Sequence, residues 1–519
     1  MRPSNLEPKA PCGQPSTERN WFFGNRYTLI VTLILVFALG LGIRFYDLDD
    51  LPLDFASTRQ MFSALKARSM YYATLPDSAN VPEWQREMAA KQSTPVIEPP
   101  VIEVLSALTY HVTGEYLWIA RIYSILFWII AGGFLFLLAR ELASTEGAVV
   151  ALLFYLFQPY GVIASRSFQP DPLMTALIVV AAWGLYRWHA TGTWRWAIAA
   201  GLLMGAAVFV KNVAAFPLGV AALALVLERG LRESLKDRQM WLVAALALLP
   251  TVIYTLYGVW AGFLASQFAF RFFPERWTTG AFYLQWLGQI DGVVSLGAFS
   301  LAITGLFAAG RRQMAFLGGL WLGYFVLGMT FAYHITTHDY YNLVLIPLVA
   351  LSLAPAAQAL VERAKSLGVG VAPRVVFAAL ALFMVAVQVW NVRVILVRED
   401  WRPDAAFWMA LSDKLGPDSG PVLAITQDYG YRLAYWGWKE VEPWYYTGDL
   451  ELRSLDGRLV DTGQRFEDRV VGRKFLVVTH MNNFNSDPVV KAYVQRNFPI
   501  YAKGKGYLIY NLANPRKKP

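Results

Sequence analysis

The chain has 519 residues, 56% hydrophobic and only 16% charged, with a net charge of +9 and a single cysteine, Cys12. Soluble globular domains carry about 25% charge, so the composition excludes an ordinary soluble protein, and one cysteine excludes an internal disulfide or a cysteine-based metal site. The positive charge is scattered at the ends of apolar runs, which the positive-inside rule explains without any nucleic-acid partner.

Residues 1–25 are polar and proline-containing and are expected to form a disordered, cytoplasmic N-terminus. Apolar runs of about 17–24 residues follow, each able to cross about 30 Å of hydrocarbon. They lie at roughly 26–45, 118–139, 147–165, 172–188, 194–210, 213–228, 241–260, 292–309, 314–333, 341–360 and 375–396. About eleven spans in an all-α polytopic domain over 26–396 are therefore expected. No small-residue cleavage site follows the first run, which reads as a retained helix rather than a signal peptide.

With the N-terminus inside, Arg140, Arg187, Arg195, the basic cluster 229–238, Arg311, Arg312, Arg363, Lys365 and Arg374 all fall in cytoplasmic loops. The other side receives 46–117, Arg166 to Asp171, Lys211, the loop 261–291, "THDYYN" at 337–342 and everything after about 397. The unusual polar chemistry is thus one-sided.

Within 46–117, residues 56–75 have helical spacing, with Met61, Ala64 and Leu65 on one side and Arg59 and Lys66 on others. The spacing predicts an interfacial helix. "EPPVIEVLSALTYHVTGEYLW" from 98 reads as a second interfacial or re-entrant helix, because a further span there would invert every later loop. Residues 397–519 are soluble in composition and predict a small α/β domain. "PDAAFWMALSDKLG" and "DPVVKAYVQRNF" read as helices, "PVLAIT", "KFLVVTH" and "GYLIYNL" as short buried strands, and "NPRKKP" as a disordered tail.

Asp54, in "LPLDFASTRQ", is either a general base at the membrane edge or a helix cap. Asp171, in "SRSFQPDP", is either the acid of a helix start with proline at its first position or one half of a binding pair with Arg166. Lys211 either snorkels or meets a lipid phosphate. Arg271 and Arg276 offer the same choice, and arginine suits phosphate well. His338, Asp339 and Tyr341 could hold a sugar or phosphate, or form an aromatic belt with a capping Asp339. No Walker loop, GxGxxG, HExxH or paired CxxC occurs.

Together Asp54, the Pro pair of "EPP" (98–100), "ARIYSILFWIIAGGFLFLLARELAS" (120–144) and "ALLFYLFQPYGVIASRSFQPDPLMTALIVVAAWGLY" (151–186) resemble the GT-C glycosyltransferases. The likeness is to the branch holding protein O-mannosyltransferases and the lipid A aminoarabinose transferase. It departs at Phe55, where the family commonly has Glu after the Asp, and at Glu98, where His often precedes the Pro pair. The resemblance implies sugar transfer from a polyprenyl-phosphate donor to an envelope lipid, glycan or protein, with inversion. Asp54 would be the base and Asp171 would orient Arg59 or Arg166, or hydrogen-bond the sugar. Arg59, Lys211 and Arg271 would receive the phosphate, and His338, Asp339 and Tyr341 would close the pocket. It implies no metal and no other cofactor, and membrane lipids as neighbours. A bacterial inner membrane is the expected location. A polyprenyl-linked transporter or flippase, a ligase on a similar substrate, and a scaffold are the competing classes.

Overall fold

The structure is a computed structural model that describes residues 22–92, 97–264, 271–366 and 371–516. Cys12 and nearly all of the N-terminal segment expected to be disordered lie outside them. Phe22 does not behave as disordered: its amide donates to Glu146 and its ring packs on Phe377. The first half of the tail, Asn514 to Arg516, is also placed, with the Arg516 amide donating to the Asn497 carbonyl at 2.7 Å.

The membrane part is helical throughout. After α1 (Arg26–Phe45) the first outer loop holds α2 (Ser57–Thr74), α3 (Glu83–Lys91) and α4 (Val101–Thr113). The bundle continues with α5 (Trp118–Leu142), α6 (Thr145–Phe157), α7 (Pro159–Ala164), α8 (Pro170–Thr191), α9 (Trp194–Val210), α10 (Ala215–Arg229) and the short α11 (Leu231–Ser234). Then come α12 (Arg238–Trp260), α13 (Gly280–Val294), α14 (Leu296–Ala308), α15 (Arg311–Thr330), α16 (Ala332–Thr337), α17 (Leu345–Ser366) and α18 (Val371–Leu396).

Each predicted span falls on helix, yet the count of eleven is not reached. Among the described residues seven helices are long and apolar enough to cross a membrane, or eight if the bent pair α13–α14 is one span. These make the chain an integral membrane protein. The run 147–165 breaks at Pro159, which has no N–H to continue α6, while Gln158 caps α7 by accepting from the Gly161 amide at 2.6 Å. Helix α9 has 17 residues, and α8 opens on the polar Pro-Asp-Pro. The loop expected at 261–291 contains α13 instead, turned 92° against α14 at Ser295, whose φ is +64°.

Helix α17 is the axis of the bundle and is buried along most of its length. Its neighbours come unusually close. Gly147 of α6 and Gly305 of α14 lie against the backbone carbonyls of Ala354 and Ser352, where a Cβ would overlap the oxygen. Helix α18 is almost wholly exposed, as a lipid-facing helix should be.

Helix α2 forms over the expected residues and is covered more fully than a single apolar stripe would suggest. Residues Gln60 to Arg68 are all buried, because α4 covers one side and the C-terminal part covers the other. That part starts with α19 (Arg402–Leu415), with Pro403 in its first turn and Gly416 at its end. It builds one five-stranded sheet, β1 (Val422–Ile425), β2 (Val441–Pro443), β3 (Phe475–Val478), β4 (Ile500–Gly504) and β5 (Tyr507–Asn511), in the order β2-β1-β3-β5-β4. The first three are parallel and the last two antiparallel. Helices α20 (Tyr431–Gly437), α21 (Thr447–Leu455), α22 (Thr462–Val470), α23 (Met481–Ser486) and α24 (Pro488–Asn497) complete it. All five elements expected here form; β2, β4 and the short helices were not foreseen.

The two ends of the bundle differ. His189–Glu228 at 3.0 Å, Arg229–Asp237 at 3.0 Å and Trp188–Gln239 at 2.9 Å gather at one end. Asp54, Lys211, Arg271, His338 and the sheet-bearing part gather at the other.

Candidate functional site

Two charge clusters stand at this second end. The first is built around Asp54. Arg121, fully buried on α5, donates to Asp54 Oδ1 at 2.8 Å and to the carbonyls of Leu48 and Leu51 at 3.3 and 3.1 Å. Arg166 donates to the Asp47 carbonyl at 2.7 Å. Burial, and next the neighbouring Arg121, pull Arg166 down to about 10, so it stays charged at neutral pH. Asp54 keeps 19% of its side chain exposed. Gln60 secures the turn behind it, accepting from the Phe168 amide at 2.8 Å and donating to the Phe55 carbonyl.

The second cluster joins Arg59, Glu98, Lys211 and Asp171. Arg59 Nη2 reaches both Glu98 oxygens, at 2.8 and 2.9 Å. Lys211 Nζ is 2.7 Å from Asp171 Oδ1 and 3.8 Å from Glu98 Oε1, with the rings of Tyr340 and Tyr341 at 5.2 and 5.3 Å. Lys211 therefore does not snorkel: it and Asp171 form a buried ion pair. Such a pair gains from mutual attraction but has lost its water. Asp171 Oδ2 and the Gln169 amide have no partner among the described residues, which leaves hydrogen-bonding capacity at this corner. Burial alone pushes the Glu98 carboxyl up, but Arg59 and then Lys211 outweigh it and hold it at about 2.

A cavity of about 210 Å³ opens beside this cluster. Glu98, Lys211, Arg271 and Tyr341 line it together with Val208, Phe209, Leu264 and Phe331. Arg271 donates to the Tyr341 hydroxyl at 3.2 Å. His338 stacks on His334 at 5.5 Å. Burial, then Arg59, Lys211 and Arg271, lower His338 to about 4; burial, then Arg271, lower His334 to about 3. Both are neutral at pH 7, so the positive charge of this pocket rests on arginine and lysine.

The structure thus brings together Arg59, Lys211, Asp171, Arg271, His338 and Tyr341. It does not pair Asp171 with Arg59 or Arg166, and Asp339 is exposed. Arg166 belongs with Asp54, not with the phosphate candidates. Arg276 lies over Tyr333 and donates to Gln285. Two residues were missed. Arg121 was hidden inside an apolar run, where an ionisable residue is itself a signal. Glu98 was noted only as a departure before the Pro pair. No group of three or more His, Cys, Asp or Glu close enough for a metal ion occurs among the described residues.

A helical membrane bundle with a broken outer segment, acids and cations at one end, and a capping α/β part defines the GT-C fold. Comparison with known proteins agrees. A family model for dolichyl-phosphate-mannose-protein mannosyltransferases matches residues 97–257. ArnT from Cupriavidus metallidurans bound to undecaprenyl phosphate is similar over 92% of this chain and 98% of its own, at 16% identity and a TM-score of 0.60. Its apo state covers 94% of this chain and 98% of its own, at 15% identity and a TM-score of 0.61. The apo oligosaccharyltransferase of Archaeoglobus fulgidus covers 94% of this chain and 75% of its own, at 12% identity and 0.51. No curated protein sequence matches. The chain therefore resembles the GT-C glycosyltransferases in fold and, over 97–257, in sequence.

Proposed function

We propose that this protein is an inverting membrane glycosyltransferase that moves a sugar from a polyprenyl-phosphate donor to an envelope lipid, glycan or protein. The observation that carries the reading is a cavity lined both by the cations Lys211 and Arg271 and by apolar side chains. A lipid phosphate needs both. The acceptor hydroxyl or amine attacks the anomeric carbon and its proton passes to Asp54. The bond from that carbon to the phosphate oxygen breaks, and the phosphate leaves as a dianion. Lys211, Arg271 and Arg59 stabilise its developing charge, in a setting where preorganised charges act strongly. Asp171 is buried and paired, so its role is to hold Lys211 in place. Of Asp54 and Asp171, Asp54 is the one still open to a substrate. His338 and Tyr341 close the pocket, and no cofactor enters the step.

The same reading places the N-terminus in the cytoplasm and the site and α/β part on the opposite face of a bacterial inner membrane. Support comes from the segregation of loop charge and from the two distinct ends of the bundle. The domain limits we propose are 1–25, 26–396 and 397–519.

The test is transfer from radiolabelled polyprenyl-phosphate sugars to envelope acceptors by membranes carrying wild-type protein or Asp54→Asn. Transfer by wild type and its loss in Asp54→Asn, with lipid binding retained, supports the reading. Absence of transfer by wild type across mannose, glucose, arabinose and aminoarabinose donors overturns it in favour of a transporter.

A further inference from the structure

Helix α2 begins without a cap of its own. Ala56 at its N-cap has no side-chain acceptor and takes a left-handed backbone, φ +41°. The first N–H groups of a helix lack partners within it, and negative charge there is stabilising. That charge arrives from 371 residues along the chain. Asp428 Oδ1 accepts from Ser57 Oγ at 2.8 Å and from Thr58 Oγ1 at 2.7 Å. Its other oxygen accepts from Arg432 Nε, and Arg432 also meets Asp404 at 3.2 Å.

Asp428 is buried and follows the carboxyl end of β1. It and Tyr429 are both left-handed, at φ +52° and +55°. Consecutive non-glycine residues in this region are strained and persist only where their surroundings over-determine them. Here the Tyr429 amide donates to the Tyr446 hydroxyl at 3.2 Å, and the Tyr429 hydroxyl donates to Asp449 at 2.9 Å. The strained turn is thus held rigidly, and what it aims is a carboxylate at the start of α2. Asp54 lies three residues before Ser57, and Arg59 follows Thr58 directly.

We propose that Asp428 is a positioning residue, which fixes the first turn of α2 and with it the height of Asp54 and the direction of Arg59 toward Glu98. This rests on the transferase reading above. It gives the α/β part a task in the reaction that requires no contact with substrate.

The test uses the full-length protein in proteoliposomes, with Asp428→Ala and, separately, Ser57→Ala with Thr58→Val. Misplacing reacting groups by about 1 Å costs roughly 10²-fold, so kcat for transfer falls by about that factor in each, while KM for the donor lipid moves less than about threefold. Combining all three substitutions costs no more than Asp428→Ala alone, because the hydrogen bonds from Ser57 and Thr58 are already gone in it. Asp428→Asn, whose amide oxygen still accepts from both hydroxyls, recovers most of kcat. A purely structural role lowers the yield of folded enzyme and leaves kcat per folded molecule unchanged. That result, or additive losses, overturns the proposal. Hydrogen exchange at amides 57–60 separates the two readings. If wild type transfers no sugar, the transferase reading fails, and exchange still decides this one. Faster exchange in Asp428→Ala supports it and unchanged exchange overturns it.

Discussion

The two charge clusters solve the same problem differently. Around Asp54, Arg121 and Arg166 spend donors on the backbone carbonyls of Leu48, Leu51 and Asp47. Those partners are dipoles without net charge, so the arginines are fixed in place and the one ion facing outward is a carboxylate. Around the cavity, the cations Arg59 and Lys211 face the ions Glu98 and Asp171. Their balance shifts as soon as another anion enters. The first arrangement suits a group that must keep its place and exchange a proton. The second suits a group that must be empty and filled in turn.

The largest expected effect breaks the comparison at its first half. Asp54→Asn lowers kcat by roughly 10²–10⁴-fold, the usual worth of general-base catalysis, with the affinity for polyprenyl phosphate unchanged in a lipid-binding assay. An equal loss of affinity would merge the two clusters into one. Lys211→Met tests the second half. It removes a phosphate contact and strands Asp171, and breaking a buried pair costs about 3–5 kcal/mol. Both donor affinity and thermal stability in detergent should fall, and adding Asp171→Asn should restore stability but not affinity.

Glu98 gives a smaller effect with a defined sign. Its folded pKa lies at about 2, below the ordinary 4.5. Its contribution, about 3 kcal/mol from a shift at 1.36 kcal/mol per unit, is complete above the unfolded value and lost as pH falls through the folded one. Glu98→Gln should therefore flatten stability against pH between about 4.5 and 2, as followed by thermal melts. The smallest effect concerns His338. Burial and three cations keep its proton off in the empty pocket. A bound phosphate offsets those cations, so binding takes up a proton and tightens as pH falls toward 5. His338→Gln should remove that slope and change affinity at pH 8 by less than about threefold, within the range of a single exposed or half-buried contact.

Much of this was legible in the sequence because charge is expensive in an apolar chain. Lys211, Arg59 and Asp171 stood out against their surroundings, and their grouping at one end followed from loop charge alone. Partnership was not legible. Asp171 pairs with Lys211, 40 residues away, and not with the nearer Arg166, because the extended residue that ends α9 points its side chain across to the start of α8. Helix α13 was read as loop because Gln285, Gln289 and Asp291 interrupt its apolar pattern. The periodicity of α2 shows one apolar stripe. Its burial on other sides depends on α4 and α20, and local pattern does not announce distant cover.

The grip of Asp428 on α2 also sets an order of events. A ribosome adding 5–20 residues per second needs roughly 20–70 s to travel the 371 residues from Ser57 to Asp428. During that time the membrane helices are made and the first outer loop already exists, with its base and its arginine not yet held. A chain interrupted anywhere before β1 would leave a membrane-inserted but unfinished enzyme. On the proposed reading, completion of the last part of translation is what fixes the first turn of α2, and an incomplete product lacks that contact.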